Sequence, residues 1–329
     1  MGKAHNPRHG SMQYWPRVRA KRETAKVSAW ADSNDVKPLG FAGYKVGMTH
    51  VQYKDMEKKS PTKGEFISEP VTIVECPPIK VMGVRFYNTV NGERRVVKDF
   101  LAETQDKEMS RKLKLPKTIT HKLEAPEKFD ALMLVVNTQP SKTGIGKKKP
   151  ELFEVAIGGS KDEQLAYAKE NLGKELNVKD IFQEGEFLDI HAITIGKGTQ
   201  GPVKRFGVAI RHHKSEKTKR GPGSLGSWKG QAHVMYRVAH AGQHGYHVRT
   251  TYNQQLYKIG ETPEEVNAKG GFIRYGAVKN SYVMIKGSLH GPSKRLIRFC
   301  KAIRANPKKK TVAPAIEFVS IASRQGNRI

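Results

Sequence analysis

Val71-Thr72-Ile73-Val74-Glu75-Cys76-Pro77-Pro78, followed closely by Val81-Met82-Gly83-Val84-Arg85-Phe86-Tyr87, sets the expected architecture. Both runs are rich in β-branched and aromatic side chains, which fit the pleated surface of a sheet. Pro77-Pro78 prevents them from being one element, so they predict two strands joined by a tight connection. Outward from this pair, Ala131 to Val136 reads as a buried strand. In Phe187 to Ile195, Asp189 and His191 alternate against Leu188, Ile190 and Ala192, as in a strand with two different faces. Gly271 to Tyr275 and Tyr282 to Lys286 flank the turn-like Val278-Lys279-Asn280-Ser281, and Leu296 to Cys300 and Ile316 to Ile321 add further strand signals. Helix signals are fewer. Ser160 with Glu163 forms a capping box, Leu165, Ala168 and Leu172 follow at helical spacing, and Gly173 supplies the stop. Short strands at irregular intervals with one or two helices predict a mainly β fold, a barrel or sandwich with an α/β insertion. The sequence shows no internal repeat.

The chain has 329 residues, 59 Lys plus Arg against 31 Asp plus Glu, and a formal net charge of +28. Its length and 37% hydrophobic content allow at least one sizeable core. A charge so far from zero repels itself in isolation and implies a polyanionic partner, either nucleic acid or an anionic membrane face. No run reaches the ~18 apolar residues of a spanning helix, so no membrane partner is expected. The basic N-terminal stretch has no apolar region behind it, so it does not read as a signal peptide and the cytosol is the expected compartment. Cys76 and Cys300 are the only cysteines, which excludes a disulfide scaffold and a cysteine-based zinc finger.

The charge is regional. Residues 1–30 carry +6, 31–100 carry +2, 101–190 carry −1, 191–260 carry +11 and 261–329 carry +10. Residues 191–260 also hold 11 of the 31 glycines and 7 of the 12 histidines, with few long apolar runs. Such a segment reads as an extension or long loop that a partner orders.

Gly196-Lys197-Gly198-Thr199-Gln200-Gly201 follows a predicted strand and matches G-x-G-x-x-G. A dinucleotide site needs a helix immediately after it, whose N–H groups meet the pyrophosphate. Pro202 could open one, but Val203 to Gly207 leads into His212, His213 and a lysine run without apolar periodicity, so the sequence predicts no helix here. Gly144 to Lys149 lacks P-loop spacing and reads as a solvated basic loop. His233, His240, His244 and His247 have no carboxylates or cysteines interleaved, so no metal site is expected. Gly-x-Ser-x-Gly does not occur, and Gly223-Ser224-Leu225-Gly226-Ser227 has its serine one position early. No catalytic residue, cofactor or small-molecule substrate is expected.

The strongest constellation is Lys204 to Lys229. Lys204, Arg205, Arg211, Lys214, Lys217, Lys219, Arg220 and Lys229 supply phosphate contacts, and glycines permit close backbone approach. Trp228, among Gly226, Ser227, Lys229 and Gly230, offers an exposed face for stacking rather than a core residue. His233, His240, His244 and His247, among Arg237, Arg249, Tyr246 and Tyr252, suit bases and phosphates, and His212 and His213 join them as expected RNA contacts. The tail repeats the recipe with Arg8, His9, Trp15, Arg17, Arg19, Lys21 and Arg22.

Leu39-Gly40-Phe41-Ala42-Gly43-Tyr44-Lys45-Val46-Gly47-Met48-Thr49-His50 resembles the stretch that opens the globular domain of the universal third protein family of the large ribosomal subunit. Other landmarks follow in family order: Pro7 to Gly10, Trp228 ahead of Ala232 to Met235, and Ala241 to Thr250. Leu256 to Gly260, the Gly270-Gly271-Phe272 turn, and Met284 to Gly287 before Lys294-Arg295 complete them. The match is weakest between about residues 100 and 180. Tail, insertion and length resemble the archaeal and eukaryotic branch, the archaeal type most closely.

The resemblance implies a translation-factor-like β-barrel with long basic extensions. The expected division is a basic tail over 1–38 and a barrel domain over 39–329. Within the latter fall an α/β insertion at about 100–185 and a basic Gly-rich finger at about 197–250. It further implies a non-catalytic protein that binds near the 3′ end of large-subunit RNA, nucleates assembly and extends its finger towards the peptidyl transferase centre. The fourteenth and twenty-fourth large-subunit proteins are its implied neighbours. Lys45, Lys197, Lys286, Lys294 and Arg295 join the tail and finger residues as implied RNA contacts. Two departures from eukaryotic members stand out: Val248 follows His247 where a second histidine is common, and Lys219 occupies a position that is typically histidine. Histidine modification at that position is therefore not expected. Two alternatives remain open on charge and motif alone: a nucleotide-dependent or RNA-modifying enzyme using Gly196 to Gly201, and a DNA-compacting protein.

Overall fold

The β-branched run beginning at Val71 lies in a strand that spans Phe66–Glu75, and burial explains its unbroken apolar character. Residues 71–75 are all buried, whereas 66–70 alternate between exposed and half-buried. A strand covered on both faces needs no polar alternation; one covered on a single face does. The computed structural model describes residues 8–56, 60–116, 123–226, 233–308 and 312–323. The chain divides into two compact units, Glu23–Ala192 with Arg249–Ile329, and Met1–Arg22 with Ile193–Val248.

In chain order the elements begin with β1 (Gly40–Lys54), β2 (Phe66–Glu75), β3 (Ile79–Val90), β4 (Glu93–Leu101), β5 (Ala131–Asn137) and β6 (Leu152–Ala156). Then come α1 (Lys161–Asn171), β7 (Glu175–Leu176), α2 (Val178–Ile181), β8 (Phe187–Ile193), β9 (Thr199–Gln200) and α3 (Pro202–Phe206). The last are β10 (Gly242–Gln243), β11 (Val248–Gly260), β12 (Tyr282–Lys286), β13 (Leu296–Lys301) and β14 (Ile316–Val319).

The larger unit is built on a sheet that runs β13-β8-β11-β12-β2-β1, and β1 pairs back to β13. Pairing therefore follows a closed circuit of six strands, the connectivity of a sheet that leaves no edge among them. β1 makes this possible by its length of 15 residues. Its first part, Gly40 to Tyr44, pairs with β13, and its far end, Val51 to Tyr53, pairs with β14. Register against β2 shifts between Lys45 and Gly47, a bulge that bends the strand between its two partners. The fold is mainly β, as the sequence predicts.

A second antiparallel sheet runs β4-β3-β5-β6, with β7 on β3. The connection at Pro77-Pro78 is as short as predicted, but it delivers β2 and β3 to different sheets. α1 starts at the predicted capping box, where Ser160 N–H donates to Glu163 Oε2 at 2.8 Å, and buries Ala168. The core includes Phe41, Tyr44, Phe86, Tyr282 and Phe299, all at most 1% exposed. Burying each such side chain stabilises the fold by roughly 1.5–3 kcal/mol. Tyr44 adds a polar tie, donating to Glu151 Oε2 at 2.8 Å and lying 3.0 Å from Thr138 Oγ1.

Two expectations need correction. Gly271 to Tyr275 is not a strand. Gly270 and Gly271 both adopt positive φ, at 80° and 77°, and Phe272 bridges only to Gly276, so the segment is a tight turn. Residues after Gly201 do form a helix, but α3 has five residues with Pro202 in its first turn. It ends at Gly207 in the left-handed conformation, φ 72°, far short of a dinucleotide-binding helix.

In the smaller unit, residues 194–200 and 242–247 run side by side. Thr194 N–H donates to His247 O at 2.9 Å, Lys197 N–H to His244 O at 2.9 Å and His244 N–H to Gly198 O at 2.9 Å. β9 pairs with β10 at the end of this ribbon. Between α3 and β10, the described residues contain no helix and no strand.

Candidate nucleic-acid interface

Charge separates the two units more sharply than any division by sequence segment. The smaller unit holds 16 Lys plus Arg and a single acid, Glu216, whereas the larger holds 43 and 30. Three arginines of the smaller unit, Arg8, Arg17 and Arg205, are held by backbone carbonyls, which occupy some of their N–H groups without neutralising them. Arg8 Nη2 donates to Arg237 O at 2.6 Å, and Arg17 Nη1 to Arg205 O at 2.7 Å. Arg205 returns to the tail through Nη2 to Arg17 O at 3.3 Å, and reaches Gln243 O and His240 O at 3.0 and 2.9 Å.

These bonds weld the tail to the base of the extension. Ala20 N–H donates to Tyr246 O at 2.8 Å, and His247 Nδ1 lies 2.8 Å from Val18 O. The guanidinium of Arg19 stacks 4.9 Å from the Tyr246 ring centroid, and that of Arg17 4.3 Å from Phe206. Gly10 sits against Phe206 so closely that any side chain there would enter the ring. Its φ of 80° adds a backbone reason for glycine. Tail and extension, separate in sequence, thus form one folded body.

Around this body the predicted contacts fall into two groups. His9, Lys21, Arg22, Lys197, Lys204, Arg211, His212, His213, Lys214, Lys217, Lys219, Arg220, His233, Arg237 and His240 are exposed. His212 and His213 face each other with ring centroids 4.1 Å apart. Arg17, Arg205 and His247 are half-buried or buried and spend part of their hydrogen-bonding capacity inside the protein. His244 is driven to a lowered pKa by burial and by the charges of Lys197, His247, Arg17 and Arg205, so it stays neutral near pH 7. Trp228 and Lys229 lie outside the described residues.

The larger unit carries the rest. Lys45, expected at a phosphate, is instead 8% exposed, and its ammonium donates to Leu289 O and Gly291 O at 2.6 and 3.0 Å. Burial lowers its pKa. The backbone beside it pairs with that of Lys294 and Arg295 at 2.8 and 3.0 Å, and exposed Lys294 holds φ at 70°. His290 has its pKa lowered by burial and then by Arg249 and Lys45, which places all three in one neighbourhood. Lys286 is apart from them, paired with Glu69 at 2.7 Å.

Sequence reasoning missed Phe206 and Tyr236. Trp15 stacks on Phe206 with centroids 5.6 Å apart and meets Tyr236 edge-on at 6.1 Å. A periodicity search cannot find them, because α3 is too short and residues 233–240 have no repeating secondary structure. The Gly196 to Gly201 loop, in turn, is spent on the ribbon rather than on a phosphate cradle. Among the described residues no group of three His, Cys, Asp or Glu could hold a metal ion, and no helix is long and apolar enough to cross a membrane.

Comparison with known proteins is unambiguous over the whole length. The sequence model of the family described as ribosomal protein L3 matches residues 1–326. The chain is 45% identical over 338 aligned positions to the large ribosomal subunit protein uL3 of Methanosphaera stadtmanae, covering 99% of this chain and 100% of that protein. It is 44% identical to the uL3 of Archaeoglobus fulgidus, over 98% of this chain and 99% of that one. Against that of Methanocaldococcus jannaschii the identity is 43%, over 97% and 98%.

Proposed function

The chain belongs to the ribosomal protein L3 family, and on that premise we propose that it is a structural, non-catalytic constituent of the large ribosomal subunit that binds ribosomal RNA through its smaller unit. The observation that carries this reading is the 16-to-1 ratio of basic to acidic residues in that unit, with arginines held by carbonyls. Carbonyl anchoring fixes the geometry of the cations while leaving their field directed outwards, which suits a dense phosphate backbone.

The finer reading follows the family. Binding near the 3′ end of large-subunit RNA nucleates assembly, and the extension carries Trp228 towards the peptidyl transferase centre without doing chemistry there. The larger unit, with 30 acidic residues against 43 basic ones, suits contacts with neighbouring proteins as well as RNA, the fourteenth and twenty-fourth being those expected.

Salt dependence tests the RNA reading. Each phosphate neutralised steepens the fall of log affinity with log salt by roughly 0.7 on single strands and about 0.9 on duplex DNA. Replacing Lys217, Lys219 and Arg220 by Ala is expected to reduce the slope by about two to three units. Flat binding of the unaltered chain between low and moderate salt would overturn the reading, and an unchanged slope in the triple variant would show that these three side chains contact no phosphate.

A further inference from the structure

The smaller unit contains an aromatic stack that its basic character does not explain. Phe206 is 5% exposed and sits at the bottom, with the guanidinium carbons of Arg17 and Arg205 at 4.3 and 5.0 Å from its centroid. Trp15 lies on Phe206 at an interplanar angle of 30°, and Tyr236 meets Trp15 at 74°. The outermost ring, Tyr236, is 73% exposed. Nothing about core formation accounts for it. Its apolar ring faces water on a segment without regular structure, yet it is braced edge-on by Trp15, which itself lies on Phe206.

That arrangement is a platform. An aromatic ring held by other rings loses little freedom when a planar ligand settles on it, so more of the stacking free energy appears as affinity. The chemistry around the ring selects the ligand. Arg237 follows directly in sequence, with its backbone carbonyl tied to Arg8, and exposed His233 and His240 lie on the same segment. A flat, π-faced group attached to a negative charge meets both features at once, and that is a nucleotide with its base unstacked. A base inside a duplex presents no free face, so the ligand must be single-stranded, a loop, a bulge or an end.

We propose that Tyr236 stacks one unpaired base of RNA, with Trp15 and Phe206 as its rigid backing. This rests on the RNA-binding reading above and names a contact within it. Stacking on an aromatic side chain accepts any base, because every base has a π-face, so the contact is tolerant of sequence.

The test uses the full chain and two fluorescent probes of equal length, a single-stranded oligoadenylate carrying one 2-aminopurine and a perfect RNA duplex. The stacking contribution of a base on an aromatic platform corresponds to a loss of roughly 5- to 140-fold in affinity on removal. Tyr236→Leu is expected to weaken the single strand by that factor, abolish the quenching of 2-aminopurine, and leave duplex binding and the salt slope unchanged. Tyr236→Phe is expected to bind like the unaltered chain, since the face and not the hydroxyl is used. Because Tyr236 is exposed, thermal unfolding of both variants should match the parent. Single-strand affinity within twofold of the parent in Tyr236→Leu, while Lys217, Lys219 and Arg220 still set the salt slope, would refute stacking and leave RNA binding standing. Salt-independent binding by the parent would remove both.

Discussion

Glu75 is a fully buried carboxylate whose removal should unfasten a whole loop from the larger unit. Oε1 accepts the backbone N–H groups of Lys279 and Asn280, each at 2.9 Å, and Nδ2 of Asn280 at 2.7 Å; Oε2 accepts the phenol of Tyr275. The Tyr275 phenol has its own pKa raised by burial and then by the negative charge of Glu75, which keeps it protonated and donating. Two of the four donors are backbone groups with no freedom to turn towards another acceptor. In Glu75→Ala they are orphaned at about 1–3 kcal/mol each unless water enters, and the deleted side chain leaves a cavity besides. The expected loss is roughly 4–6 kcal/mol, a large share of the ~5–15 kcal/mol that holds a protein folded. Glu75→Gln keeps the shape and an acceptor for the three nitrogen donors, while the Tyr275 hydroxyl can rotate to receive the new amide. It loses charge assistance, which roughly halves each bond, but is relieved of a buried charge, so a loss of about 1–3 kcal/mol is expected. Denaturant unfolding of the full chain reads both values from the midpoint at constant slope. Hydrogen exchange at the Lys279 and Asn280 amides reads the local consequence, and both should exchange faster in Glu75→Ala than in Glu75→Gln. A loss below about 1 kcal/mol in Glu75→Ala, with those two amides still protected, would refute the view that this carboxylate holds the loop.

Two further outcomes follow from the same unit. A Cβ on Gly260 would fall within the ring of fully buried Tyr282, so Gly260→Ala should destabilise by about 1–3 kcal/mol or more through overpacking; an unchanged denaturation midpoint would contradict that close approach. His191 has its pKa lowered by burial and then by Arg298, against a smaller pull from Asp189, so the unfolded chain binds a proton that the folded chain resists. Stability should therefore fall as pH drops below the ordinary histidine value of about 6.5, until the depressed folded value is reached. His191→Asn should remove part of that pH slope and leave the parts due to His290 and His244, whose pKa values are lowered in the same direction. Full retention of the slope in His191→Asn, measured by unfolding between pH 7.5 and about 5.5, would place the effect elsewhere.

Elements governed by neighbours in sequence were legible. Val71 to Glu75, Ala131 to Val136, Tyr282 to Lys286 and Leu296 to Cys300 all fall in strands, with only Cys76 of the first expected run left outside, because local β-propensity and burial agree there. The capping box at Ser160 also acts within four residues and forms as read. Sheet membership was not legible. Nothing in Val71 to Tyr87 tells that its two strands part company, since their partners, β1 and β12 for one and β4 and β5 for the other, are chosen by packing at a distance. Gly271 to Tyr275 looked like a strand by composition, but two successive glycines at positive φ decide the matter, and conformation overrides propensity.

The candidate interface was legible as charge and illegible as geometry, for one physical reason. Cations announce themselves in a sequence, but the groups that hold them here are backbone carbonyls, which every residue possesses. Arg298 shows how far this goes. It is 4% exposed, donates to Ala25 O and Glu154 O at 2.9 and 2.5 Å, and lies 4.5 Å from the centroid of Phe153. Burial lowers its pKa to about 10, yet it remains charged at neutral pH. By sequence it counts among the cations of the basic C-terminal third, indistinguishable from exposed Lys294. The structure spends it, like Lys45, on holding the fold. The charge available to a polyanion is accordingly smaller than the formal +13 of the larger unit and concentrated in the smaller one, which carries +15 and whose carbonyl-held arginines are fixed but not neutralised. A survey of phosphate contacts by substitution should therefore separate the two kinds of residue. Exposed lysines change the salt slope alone, whereas Arg17 and Arg205, holding tail to extension, change stability as well.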